Sequence, residues 1–150
     1  YGSLCGKKMK EIKRVPAAKK SISLKKLKKG KYYKYIVTAY KKIGSEIRIV
    51  TQSKSVHVCT TGGKVANPVK ISAKKKLTIK KGRTKKISAK IKPAKKVKVH
   101  IARYRYESTN PKVAAVNKKG TIKAKKKGSC SVYVYSQNGL FVKINVKVKK

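Results

Sequence analysis

Residues 104–134, YRYESTNPKVAAVNKKGTIKAKKKGSCSVYV, constrain the fold more tightly than any other stretch of the chain. Apolar residues alternate wherever a strand is due: Tyr104 and Tyr106, then Ile122 and Ala124, then Cys130, Val132 and Val134. A period of two buries one face of a strand and wets the other. Asn110-Pro111, Lys119-Gly120 and Lys127-Gly128 supply turns between them. Strands this short, broken by turns this often, predict an all-β antiparallel sandwich or barrel. The pattern extends downstream, where Ser136-Gln137-Asn138-Gly139 reads as an Asn-Gly hairpin turn and Val142, Ile144, Val146 and Val148 as a closing strand.

Charge limits what this sheet can display. The 150 residues carry 45 Lys and Arg against three acids, Glu11, Glu46 and Glu107, for a formal net charge of +42. Such a balance points to nucleic acid, an anionic polymer or a membrane surface. The placement is dispersed, however. Lysines interleave with apolar residues in nearly every strand, as in ISAKI at 87–91 and VKINVKV at 142–148. That is the wet face of a sheet written in lysine. No apolar run reaches the roughly 20 residues of a membrane span, so membrane insertion is not expected. The chain opens on Tyr1 rather than Met, which predicts a segment of a longer multidomain protein, monomeric within it, with any export signal or anchor outside the segment.

The order of turns and strands resembles the group 2 bacterial immunoglobulin-like (Big) domain. Its pattern is met by Leu77, Ile79, Gly82, Ile87, Ala89, Ile91 and Pro93, then by Tyr106, Ser108, Thr109, Asn110, Pro111, Val113, Ala114 and Val116. Gly120, Ile122, Ala124, Gly128, Cys130 and Val132 follow. Tyr106 stands where the family usually has Trp, and Cys130 where a small residue is usual; both suit a buried face. The resemblance covers residues 69–150 and implies a complete sandwich there, with residues 97–106 as one of its strands.

Residues 1–62 read as a separate unit and residues 63–68 as a linker, where two Gly and one Pro over residues 62–68 favour a short hinge of limited freedom. Leu27, Gly30, Tyr33, Tyr35, Val37 and Ala39 resemble the fibronectin type III pattern. That resemblance implies that Tyr33 is a corner tyrosine whose hydroxyl bonds upstream backbone. It also implies a hairpin turning at residues 42–45 and returning through residues 47–59. Ile22 and Leu24 would form one further strand and residues 9–15 another. A whole domain of this type has seven strands, and this segment supplies about four, so its inner face is expected to be bare.

Catalysis and metal binding find no local signature. The three Glu are scattered, no Ser occupies a G-x-S-x-G elbow, and no Gly-rich phosphate loop precedes a helix. With no Asp in the chain, a carboxylate-built calcium site is excluded. His57 and His100 each sit between β-branched residues in a strand and read as wet-face or satisfied core residues. Cys5, Cys59 and Cys130 form an odd set with no metal spacing, Cys130 being in a core phase and a Cys5–Cys59 pair not expected. No catalytic, cofactor-binding or metal-ligating residue is therefore expected, and no cofactor. Two binding readings remain. The resemblances imply a non-catalytic spacer or adhesion module on the surface of a bacterium, Gram-positive by family habit, whose partner is an extracellular protein or glycan. The lysines allow a binder of polyanions: teichoic acid, another anionic cell-wall polymer, an acidic or sulfated host glycan, or, less in keeping with the motifs, nucleic acid. Its expected contacts are Lys123, Lys125, Lys126, Lys127 and Lys143 around Tyr133 and Tyr135, which lie on the opposite strand phase from Val132 and Val134. The alternative for those tyrosines is packing over lysine stems.

Overall fold

The computed structural model describes residues 1–94 and 97–150, and every regular element among them is a strand. Before residue 65 lie β1 (Gly2–Leu4), β2 (Tyr32–Tyr35), β3 (Thr38–Ile43), β4 (Glu46–Gln52) and β5 (Val56–Cys59). Then come β6 (Val65–Ala66), β7 (Pro68–Ala73), β8 (Lys76–Lys80), β9 (Thr84–Lys86), β10 (Ala89–Pro93) and β11 (Lys98–Val99). They are followed by β12 (Arg105–Ser108), β13 (Ala114–Val116), β14 (Thr121–Ala124), β15 (Gly128–Tyr135) and β16 (Phe141–Lys149).

One core holds the second unit together. A four-stranded sheet in the order β12-β15-β16-β8 faces a three-stranded sheet, β13-β14-β9, with the β10–β7 pair beside them. The alternation read from the sequence is visible in burial: β16 is buried at every second position, with Val142, Ile144, Val146 and Val148 inside and Phe141, Asn145 and three lysines outside. Ile144 sits opposite Val132, and Val142 opposite Val134, in the antiparallel register of β15 and β16. These cross-strand apolar pairs are the unit from which a sheet gains stability. Ile122 and Ala124 close the core from the other layer, and Ala114 faces Ala124 there. Cys130 is half-buried and packs against this core as a small apolar side chain.

The turns also follow from residue chemistry. Asn110 Oδ1 accepts the Lys112 N–H at 3.1 Å, and Asn117 Oδ1 accepts the N–H groups of Lys119 and Thr121 at 2.9 Å each. Gly120 has φ +77°, and a Cβ there would lie 2.6 Å from Cζ of Tyr106. Only glycine meets both demands, the left-handed backbone and the ring laid over it. Tyr106 thus fills the usual Trp position by covering a glycine turn.

The first unit differs from its sequence reading. Tyr33 Oη does accept an upstream backbone N–H, that of Lys28, at 3.1 Å. The expected hairpin forms in two pieces: β2 pairs with β5, and β3 with β4, with a break where Val37 N–H donates to Ser53 Oγ. Strands at residues 9–15 and 22–24 do not form; Lys10 makes only an isolated bridge to Gly2. Their apolar side chains lack a neighbouring strand and turn instead into an open groove of about 550 Å³, lined by Ile12, Val15, Ile22, Leu24 and the inner face of β2 and β4. Within residues 1–62, Cys59 is the only buried hydrophobic side chain among the described residues.

One other expectation is corrected. Residues 97–106 are not one strand: β11 stops after two residues because its partner β6 is only two residues long, and pairing resumes at β12. Residues 63–68, read as a linker of limited freedom, carry pairing and hydrogen bonds of their own. Val65 and Ala66 pair with β11, Asn67 exchanges two side-chain hydrogen bonds with the Cys59 backbone at 2.8 and 2.7 Å, and Pro68 opens β7. The joint is tied further by Gln137 O, which accepts from the His57 N–H at 2.7 Å, and by a Lys54–Glu107 ion pair at 2.9 Å.

Each of the three acids is ion-paired, to Arg14, Arg48 and Lys54. Like charges meanwhile sit in register: Lys92 opposite Lys70, Lys149 opposite Lys80, and Lys41 opposite Arg48. Facing like charges cost about 0.2–1 kcal/mol each, and salt screens them over a Debye length of ~8 Å at physiological strength. We expect the melting temperature to rise by roughly 5 °C as salt goes from low to moderate concentration. A flat or falling trend in thermal denaturation contradicts the repulsion.

Candidate functional site

The outer face of the four-stranded sheet carries an aromatic cluster set among charges. Tyr133 and Tyr135 point outward because Val132 and Val134 point in, and Phe141 arrives opposite Tyr135 through the β15–β16 register. The two tyrosine rings stack at 6.0 Å, and Phe141 meets Tyr133 edge-on at 5.6 Å. Arg105 lies over the Tyr135 ring at 5.8 Å and donates Nη1–H to Ser55 O at 3.2 Å. Tyr133 is in register with Glu107 on one side and Lys143 on the other. Burial raises the Tyr135 hydroxyl above its ordinary pKa, helped by the neighbouring Glu107. The two tyrosine rings are half-buried rather than standing free among lysines, and much of each face is spent on another ring.

The expected polyanion contacts do not form one surface. Lys143 shares the outer face with Tyr133. Lys123 lies on β14 between buried Ile122 and Ala124, so it projects from the opposite layer of the sandwich. Lys125, Lys126 and Lys127 are exposed in the β14–β15 connection, at the far end of β15 from Tyr135. At about 3.4 Å per residue, the seven steps from Gly128 to Tyr135 separate them by more than 20 Å. Phe141, the most exposed ring of the cluster at 57%, was missed in the sequence reading, although the Asn-Gly hairpin already placed it opposite Tyr135.

A second grouping has no counterpart in sequence spacing. Cys5 Sγ lies 3.3 Å from His57 Nδ1 and 3.8 Å from His100 Nε2. Cys5 is held by its N–H donating to Tyr32 O at 2.8 Å, in the turn that leaves β1. His57 sits on β5, with Nε2 3.4 Å from Ser55 Oγ. His100 follows β11, its ring stacked on Tyr32 at 4.2 Å and 8°. Burial holds both imidazoles below their ordinary pKa; at His57 the cations Lys34 and Arg105 act in the same direction, and at His100 it is His57 that does. Burial also raises the Cys5 thiol, against an opposing pull from Lys34. Neither histidine is a wet-face residue: both are half-buried and turn toward one thiol.

Residues 65–146 match the family described as Bacterial Ig-like domain (group 2). The match begins at β6, ahead of residue 69, where the sequence reading started the domain. Among solved structures the chain is similar to S-layer protein SbsC domains 4 and 5, at 18% identity and TM-score 0.48, over 70% of this chain and 63% of that one. It is also similar to S-layer protein rSbsC(31-844), at 16% and 0.47, and to surface layer protein SbsC domains 1-6, at 17% and 0.47. Each of these alignments covers 79% of this chain and 16% of the other, so the chain spans less than two thirds of all three structures. No curated protein matches it.

Proposed function

The chain belongs to the bacterial immunoglobulin-like (group 2) family, and from that premise we propose that it works as a non-catalytic spacer in a longer protein on the surface of a Gram-positive bacterium. Residues 69–150 are its sandwich, extended upstream by the strand at residues 65–66. Residues 1–62 are part of a fibronectin type III-like unit, a reading supported by the Tyr33 hydroxyl bond to Lys28 N–H.

The observation that carries the reading is how the sandwich is closed. Its last strand, β16, lies parallel to β8, near its start, with five residue pairs from Asn145↔Lys76 to Lys149↔Lys80. Tension applied at the two ends pulls β8 from its first residue and β16 from its last, in opposite directions. Parallel strands pulled this way are sheared, and their hydrogen bonds are strained together rather than one after another. A sandwich closed so suits a strut that keeps its length under load. Stretched between its ends in a force-extension experiment, the second unit should open in one cooperative step that adds roughly 25 nm, from ~3.4 Å for each released residue. Residues 1–62, without a closed core, should extend at lower force. Gradual opening of residues 65–149 without a step would count against the strut.

A second reading is favoured by one specific feature, the cluster of Tyr133, Tyr135 and Phe141 beside Arg105 and Lys143. Aromatic rings among cations bind single-stranded nucleic acid or sugar rings on anionic glycans. Adhesion to an anionic wall polymer or host glycan through this face is the finer form of the surface role. Titration of teichoic acid, heparin and single-stranded DNA across salt separates it from the spacer.

A further inference from the structure

We propose that Cys5, His57 and His100 form a binding site for one borderline transition-metal ion of the Zn²⁺ class, and that the ion pins the first unit to the second. The three ligand atoms lie within 4.8 Å of one another. In a tetrahedral zinc site, with bonds of about 2.0 Å to nitrogen and 2.3 Å to sulfur, adjacent ligand atoms lie roughly 3.3–3.5 Å apart. The thiol–imidazole distances of 3.3 and 3.8 Å are therefore close to those of an assembled site.

The donor set selects the metal. One thiolate and two imidazoles suit zinc, cobalt or copper and not the hard cations that need oxygen ligands. The surroundings are those of a metal ligand in one further respect. A metal-binding His usually has its other ring nitrogen hydrogen-bonded, which fixes the ring. His57 offers Nδ1 to the cluster and Nε2 to Ser55, and the Tyr32 stack sets the plane of His100. On binding, the Cys5 thiol gives up its proton to solvent and the thiolate sulfur bonds the metal; the pair then carries one net positive charge, against the repulsion of Lys34 and Arg105. Three protein ligands leave a fourth position for water or an outside ligand.

The ligands come from three distant points of the chain, His100 lying 95 positions after Cys5. His57 belongs to the sheet of β1, β2 and β5, Cys5 to the turn that leaves β1, and His100 to the second unit. A bound ion closes a long loop and restricts the motion of one unit against the other.

The test uses the whole chain, reduced and stripped of metal, titrated with Co²⁺ alone. We expect one equivalent to give a thiolate-to-cobalt charge-transfer band together with the intense visible bands of tetrahedral cobalt, both displaced by one equivalent of Zn²⁺. Cys5→Ser should abolish the charge-transfer band, and His57→Gln or His100→Gln should weaken Zn²⁺ binding by at least about 100-fold, since loss of an outer-shell partner alone costs 10–100-fold. Cys59→Ser and Cys130→Ser should leave the titration unchanged. Circular dichroism of each metal-free variant verifies that it is folded. No band at one equivalent, a band that survives Cys5→Ser, or a band that depends on Cys59 or Cys130 overturns the site.

Discussion

Replacing Ile122 with Ala is expected to destabilise the second unit by about 2–5 kcal/mol, the range for truncating a fully buried aliphatic side chain. Ile122 is 0% exposed and joins the core between the two layers, facing Val116 across β13. The loss combines transfer of the missing carbons with a cavity that rigid neighbours refill only in part. For a domain of 60–100 residues, each kcal/mol shifts the melting temperature by about 4–8 °C, so a fall of roughly 8–40 °C should appear. Ile49 is the informative comparison. It too is a β-branched aliphatic residue inside a strand, two positions after Ile47, yet it is 65% exposed on β4. Ile49→Ala should stay within about 0.5 kcal/mol of the parent. Equal shifts for the two variants would mean that the first unit has a core after all.

Salt should have the next largest effect, on the affinity for any polyanion. Each phosphate neutralised by a Lys or Arg releases condensed counterions. For a single strand, log K falls with log salt at about −0.7 per contact. A face touching five phosphates should lose roughly 100-fold in affinity between about 50 and 200 mM salt. Because lysines cover both layers of the sandwich, Lys123→Glu and Lys143→Glu should reduce that slope alike, though they project from opposite sides. Tyr133→Ala should matter little on the spacer reading, since its ring is already packed against Tyr135 and Phe141. A base stacked on it would instead bring a loss of ~1–3 kcal/mol.

What was legible in the sequence was what strand periodicity and turn chemistry determine locally. β16, β8 and β14 follow from alternation, and the Gly120 turn and the Asn110 turn from residue type. Three matters were not legible, each because it depends on a partner distant in the chain. Ile22 and Leu24 alternate as a strand does, but a strand needs an edge to pair with, and they make no ladder among the described residues. The sequence VKVHI at 97–101 looks continuous, yet the length of β6 limits its pairing to two residues. Cys5, His57 and His100 have no local spacing at all, and only the meeting of β1, β5 and the end of β11 makes them neighbours. Family resemblance recovered the second unit because its motifs span the whole sandwich. It said nothing of the joint, where Asn67 and Gln137 do the bonding.

On the proposed function, the lysine-rich surface belongs to a structural module and is not a site for one ligand. Parallel titration of teichoic acid, heparin and single-stranded DNA, each across a range of salt, tests it most directly. The spacer account predicts similar steep slopes for all three, with release near physiological ionic strength. One ligand held at physiological salt while the other two fall away would contradict it and place a dedicated site on the face of Tyr133, Tyr135 and Phe141.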